Sequence, residues 1–183
     1  TNQPVILAEP ADSPNGGCVG DSPIVALALQ ERKSKLRTCM FIVDAGAAEQ
    51  AFALGVGGVG DFTLGGTVAP ALSKPVTVKG ATVRSLHAGT FTNYGPIGKG
   101  WITNCGRVAV LQVGKILIQV STSSRTEKDL GFYRGFGIEP AFCDLVSVKA
   151  CTSFRDAYSA ISADICNTAT PGAAGTELST LPY

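Results

Sequence analysis

The feature that most constrains the fold is the opening stretch, PVILAEPADSPNGGCVGDSP, residues 4–23. An apolar run from Pro4 to Ala8 reads as a buried strand, and it breaks into a loop holding Gly16, Gly17 and Gly20. A helix is predicted over Ser22 to Lys33. Serine can cap it, Pro23 suits its first position, and Ile24, Leu27 and Ala28 share a face. "TCMFIV" at 38–43 is a second buried strand, so the chain opens as a parallel β-α-β unit. Such a junction aims backbone N–H groups at an anion. A phosphate cradle nevertheless needs GxxxxGK[ST], and here Gly20 is followed by Asp21; GxGxxG is absent too. An acid at the helix start satisfies the helix dipole and repels phosphate.

After a small-residue helix at 44–54, closed by Gly55, the pattern changes. "DFTLGGTV", "VTVKGATVRSL", "RVAVLQV" and "ILIQVST" are short alternating runs between glycines, the last two joined by Gly114-Lys115, a II′ hairpin signature. A glycine-rich loop (131–137), the strand "LVSVKA" and a helix over Ser153 to Ala163 follow. Phe154, Ala157, Tyr158 and Ile161 form that helix's apolar stripe. "DICNTATPG" is read as a last short strand and turn, and the tail to Tyr183 as loop. The fold expected is α/β with a mixed sheet: parallel units at both ends, antiparallel hairpins in the middle.

One domain spanning residues 1–183 is expected from the length. Charged residues make up 16%, below the usual ~25%, so little solvated helix surface is expected, or part of the surface is covered by something outside this chain. A net charge of +1 offers no footprint for nucleic acid or an anionic membrane, and no run reaches the ~18 apolar residues of a span. The start at Thr1, without methionine and close to a strand, is expected of a fragment of a longer protein. Six cysteines without CxxC spacing and a single histidine, His87, argue against a zinc finger. The cysteines, Cys39, Cys151 and Cys166 among them, are read as reduced, mostly buried thiols of a cytoplasmic protein.

Few residues carry an overt chemical signal. No GxSxG elbow, EF-hand or HExxH is present, and His87 is read as a strand-end histidine. Arg125 leaves a strand just past its end, where α/β sheets bind ligands. Its guanidinium suits a carboxylate, or a surface ion pair with Glu127 or Asp129. Lys149, in an otherwise apolar strand, is expected to point inward to a partner. Ser153 with Asp156 reads as a capping box, and "ERKSKLR" (31–37) as a solvated helix end.

In order, "ADSPNGGCVGDSP", "GTFTNYGPIGKG", "RVAVLQVGKILIQVSTSSRT", "GFGIEP", "VKACTSFRDAY" and "LPY" carry a resemblance over essentially the whole chain. The sequence resembles the C-terminal domain of the microcystinase C (MlrC) family, bacterial zinc metallopeptidase-like proteins. That family is named for an enzyme hydrolysing linearised fragments of the cyanotoxin microcystin. Its opening motif, roughly A-D-N-P-G-G-G-x-x-G-D-S, is matched by Ala11, Asp12, Pro14, Gly16, Gly17, Gly20, Asp21 and Ser22. Ser13 and Asn15 depart from it. Arg125 and Thr126 fit a strand-end S-R-R/x-T element, Gly137, Ile138 and Pro140 a G-I-x-P turn, and Lys149 a V-K-S element. Ser153 stands where the family usually has a histidine, before Phe154 and Arg155.

The resemblance implies that zinc is bound by histidines and acids of an N-terminal domain not in this chain, leaving the isolated chain without catalytic zinc and inactive. It makes Asp12, Gly16, Gly17, Asp21, Arg125 and Lys149 candidates for a substrate wall or domain interface. The implied partners are that N-terminal domain and a peptide or small-molecule substrate, with a homo-oligomer also open. The rival readings are a structural or oligomerisation domain and an autonomous small-molecule-binding module.

Overall fold

The computed structural model describes residues 3–68, 70–125 and 128–175. The "LPY" tail, Thr126 and Glu127 therefore lie outside the described residues. One eight-stranded sheet contains β1 (Val5–Ala8), β2 (Thr38–Val43), β3 (Val59–Leu64), β4 (Val76–His87), β7 (Val108–Val113), β8 (Ile116–Ser121), β9 (Leu145–Val148) and β10 (Asp164–Asn167). A two-stranded ribbon is made of β5 (Thr90–Thr92) and β6 (Ile102–Asn104). The helices are α1 (Ile24–Glu31), α2 (Ala45–Leu54) and the single turns α3 (Gly131–Arg134) and α4 (Arg155–Tyr158).

The strand order is β10-β1-β9-β2-β8-β7-β4-β3. Strands β10 through β8 run parallel, and β8, β7, β4 and β3 pair antiparallel. This is the mixed α/β sheet expected. The opening β-α-β unit is parallel, but β9 sits between its two strands. Gly114, at φ 55°, starts the β7–β8 turn while Lys115 keeps a negative φ, as a II′ turn requires.

Alternation along β2 divides the core, because successive strand side chains point to opposite faces. Cys39, Phe41 and Val43 pack with Phe132, Tyr133, Phe154 and Tyr158 of the α3 and α4 segments. Met40 and Ile42 pack with Ala26 and Leu29 of α1 and Ala48 and Ala51 of α2. The crossover after β1 thus covers one face and the crossover after β9 the other. Because β1 and β9 are neighbours whose chains leave in opposite directions, a topological switch point lies at their C-terminal ends.

Several local expectations are corrected. Helix α1 begins at Ile24, with Pro23 in the capping position and no side-chain cap from Ser22. The predicted helix from Ser153 to Ala163 is reduced to the α4 turn, whose N-terminus has no side-chain cap, so the Ser153–Asp156 capping box does not form. The chain must return at once to place β10 beside β1, where Ala163 N–H donates to the Pro4 carbonyl. Loop 131–137 contains α3, and the β5–β6 ribbon leaves no mark in the sequence pattern, since strands of three residues carry little periodicity. Of the cysteines, Cys39, Cys105 and Cys143 are buried, but Cys151 and Cys166 are exposed; all six are free thiols. Asp44 caps α2, and Gly55 closes it at φ 77°.

Candidate functional site

The switch point is filled by the protein's own charges. Glu9 follows β1 and Lys149 follows β9, and parallel pairing in register brings the two strand ends together. The Lys149 ammonium, 1% exposed, lies 3.3 Å from Glu9 Oε2 and 3.1 Å from Asp12 Oδ2, and donates to the Ser22 carbonyl at 2.8 Å. Glu9 Oε1 accepts from Ser147 Oγ. Asp12 also accepts from Gly20 N–H at 3.1 Å and Ser22 N–H at 2.8 Å. One carboxylate therefore closes the glycine loop onto the start of α1, and a lysine from the far end of the sequence locks it. Ser22 stands one position before the Pro23 cap, its backbone held in this network and its hydroxyl accepting from Ser73 Oγ at 3.4 Å.

Asp21 faces elsewhere. Its Oδ2 accepts from Thr67 and Val68 N–H, both at 3.0 Å, and so tethers the segment after β3. Asp44 does similar work beside it, accepting from Ala47 N–H at 2.9 Å and Gly65 N–H at 2.8 Å. Buried carboxylates need such donors, since a charge without partners is costly to desolvate. Asp12 and Asp21 thus serve as acceptors that shape the loop. Among the described residues, no group of three or more His, Cys, Asp or Glu side chains is placed to hold a metal.

Gly17 and Gly20 both adopt φ 86°. At Gly20 a Cβ would come within 3.2–3.3 Å of Pro14, Phe41 and Val43, so the loop packs directly on β2. Gly16 is exposed, and a Cβ there would meet Ala174 at 3.2 Å. Asn15 Nδ2 donates to Ser153 Oγ at 2.9 Å, so two of the positions that depart from the family pattern bond to each other.

Beside the loop is a cleft of about 370 Å³, walled by Gly17 and Cys18 on one side and Asn93, Trp101, Ser124 and Arg125 on the other. Arg125 is exposed and donates to the Ser124 carbonyl at 2.6 Å. Lys128 also lines the cleft, its ammonium 5.1 Å from the centre of the Trp101 ring, and Trp101 is 64% exposed. The buried Ser124 Oγ has no partner among the described residues. Asp129 does not pair with Arg125: its carboxylate accepts from Tyr94, Gly95 and Gly131 N–H and fastens the ribbon to α3. Arg125, Gly17 and the loop thus share one cleft; Asp12 and Asp21, both buried, line with Gly17 and Cys18 a smaller hollow of about 220 Å³, and Lys149 lies in the packing beneath.

Glu9, Asn93, Trp101 and Lys128 were not singled out from sequence. Glu9 alone left a signal, a carboxylate directly after a buried strand. His87 ends β4, with Nε2 2.9 Å from Ser85 Oγ and its ring 5.3 Å from that of Phe136. Burial pushes its pKa below the ordinary value. Burial likewise raises the Cys39 thiol, while a hydrogen bond from Cys39 lowers that of Cys143.

A metallopeptidase-like architecture emerges from comparison with a solved structure. The whole chain superposes, with a TM-score of 0.91 and 26% identity, on 36% of a protein from Mesorhizobium sp. BNC1 described as a "putative metallopeptidase". Residues 7–183 match the family described as MlrC C-terminus, and the chain belongs to that family. It is also 28% identical over 155 residues to microcystinase C from a Sphingomonas species, a match covering 85% of this chain and 30% of that protein. The chain therefore spans about a third of the length of these relatives. Among the described residues, no helix is long and apolar enough to cross a membrane.

Proposed function

We propose that this chain acts as the C-terminal domain of a metal-dependent, peptidase-like hydrolase and forms one wall of its substrate cleft. The observation carrying this reading is the cleft shared by the glycine loop and Arg125, with Lys128 and Trp101 beside them. Two cations and an open aromatic ring suit a substrate bearing a carboxylate and apolar groups, such as a peptide. The metal, zinc by family resemblance, would be held by another domain, because the carboxylates here are committed to backbone N–H groups and Lys149. That domain would supply the activated water; this one would bind and orient the substrate.

In the full-length protein, Arg125→Ala is expected to lower kcat/KM for peptide substrates by about 10- to 100-fold, the loss of a charge-assisted, paired hydrogen bond. Arg125→Lys should recover only part of it. Unchanged kinetics in Arg125→Ala would remove this residue from the site.

A second reading, that the domain chiefly docks onto another domain or a second copy, is favoured by the apolar side chains around the ribbon. Tyr94, Trp101 and Ile102 are all exposed there. Under that reading, Ile102→Ser would disturb assembly while leaving turnover per folded molecule intact.

A further inference from the structure

The other end of the parallel strands has a different character. Between the end of α1, the start of β4 and the β7–β8 turn lies a cavity of about 620 Å³. Its floor is aliphatic, with Leu29, Val78, Ile116 and Ile118 among its residues, and its lining contains no aromatic and no acidic side chain. Four lysines line it as well: Lys33, Lys35, Lys79 and Lys115. The chain has eight lysines, so half of them gather at one cavity. None of the four is ion-paired among the described residues. Asp144, whose carboxyl Lys115 helps to hold below its ordinary pKa after the larger hydrogen bonds from Arg37, is already paired with Arg37 at 3.2 Å.

Lys33 stands at φ 48°, the only described residue other than glycine with a positive φ. It closes α1 in a Schellman motif, in which Ser34 N–H donates to the Leu29 carbonyl and Lys33 N–H to that of Gln30. Glycine is usual at that position, yet here a lysine occupies it at the cavity edge.

We propose that this cavity binds an amphipathic monocarboxylate, its alkyl chain on the aliphatic floor and its carboxylate among the four lysines. Charge complementarity and the aliphatic floor select that class. A nucleotide would find no ring to stack on, and the negative end of the α1 dipole, which opposes every anion, weighs more against a multiply charged phosphate than against a single carboxylate. The site is independent of the Arg125 cleft. Along this segment the last cavity residue, Ile118, and the first cleft residue, Ser124, are six positions apart, a reach of at most about 20 Å.

The test is calorimetric titration of the purified protein with monomeric dodecanoate, with acetate as the headgroup control. Saturable binding of dodecanoate but not acetate is expected. Lys79→Glu/Lys115→Glu should weaken it at least tenfold, as should Val113→Trp, which fills the half-buried rim; melting curves would verify that both variants fold. No saturable binding of dodecanoate would overturn the proposal, as would binding that both folded variants retain. Capture of an acidic peptide in place of dodecanoate would also overturn it, and would make the face a protein-docking surface.

Discussion

The two ends of the parallel strands handle charge in opposite ways. At the C-terminal ends, Glu9, Asp12, Asp21, Asp44 and Lys149 are all buried, and each is tied to named donors or acceptors. At the N-terminal ends, four lysines surround an apolar hollow without ionic partners among the described residues. The first arrangement fixes a loop in one shape. The second leaves charge available to something else. Removing one member of a buried network strands its partners, whereas changing an exposed lysine costs the fold little.

The largest effect should come from Lys149→Met, which leaves Glu9 and Asp12 buried without their counter-ion. A loss of about 3–5 kcal/mol in urea-denaturation stability is expected, enough to threaten folding. A loss below about 1 kcal/mol would mean that the switch-point network is dispensable. Asp21→Asn keeps the shape but weakens the two hydrogen bonds to Thr67 and Val68, for about 1–3 kcal/mol. Hydrogen exchange should then quicken first at those two amides; uniform quickening across the sheet would contradict a local tether.

His87 lies at the same end of the sheet as the carboxylates, through its pairing with Val108 and that of Val108 with Ser121. Its folded pKa is lowered, chiefly by burial, so below the unfolded value near 6.5 the unfolded chain binds more protons than the folded one. Stability should therefore fall as pH drops from 7 towards 5, and His87→Gln should flatten that slope. An unchanged slope would place the pH response in other groups. The smallest effect belongs to the opposite end. Lys33→Gly relieves a left-handed lysine, against the entropy cost of glycine, and should stabilise by about half a kcal/mol. Destabilisation beyond about 1 kcal/mol would show that the lysine side chain is held in place rather than free.

Much of the framework could be read without coordinates. The strands of the large sheet, the Gly114-Lys115 turn and the Asp44 to Gly55 helix all rest on short-range periodicity and turn chemistry. So does the inward position of Lys149, because a long cation within an apolar strand has few other ways to be satisfied. The failures share a different cause. Ser22 and Ser153 carry good local cap signals, yet Ser22 is engaged by Asp12 and Lys149, and Ser153 by Asn15. Those partners lie up to 138 residues away, and no local window contains them. The candidate site divided along the same line. Asp12, Gly16, Gly17, Asp21, Arg125 and Lys149 were identifiable by type and motif, but only Gly17 and Arg125 line the open cleft.

The sequence by itself determined most of the elements of the large sheet and helices α1 and α2, because strand alternation and glycine turns depend on neighbours a few residues apart. Tertiary structure alone decided what the charged residues do. The parallel register that sets β9 between β1 and β2 brings Lys149 to Glu9 and Asp12, and turns motif residues into a buried lock. The same folding leaves Arg125, Lys128 and the four lysines of the opposite end facing open space. Burial and pairing are properties of the folded arrangement, and a linear pattern of charges does not contain them.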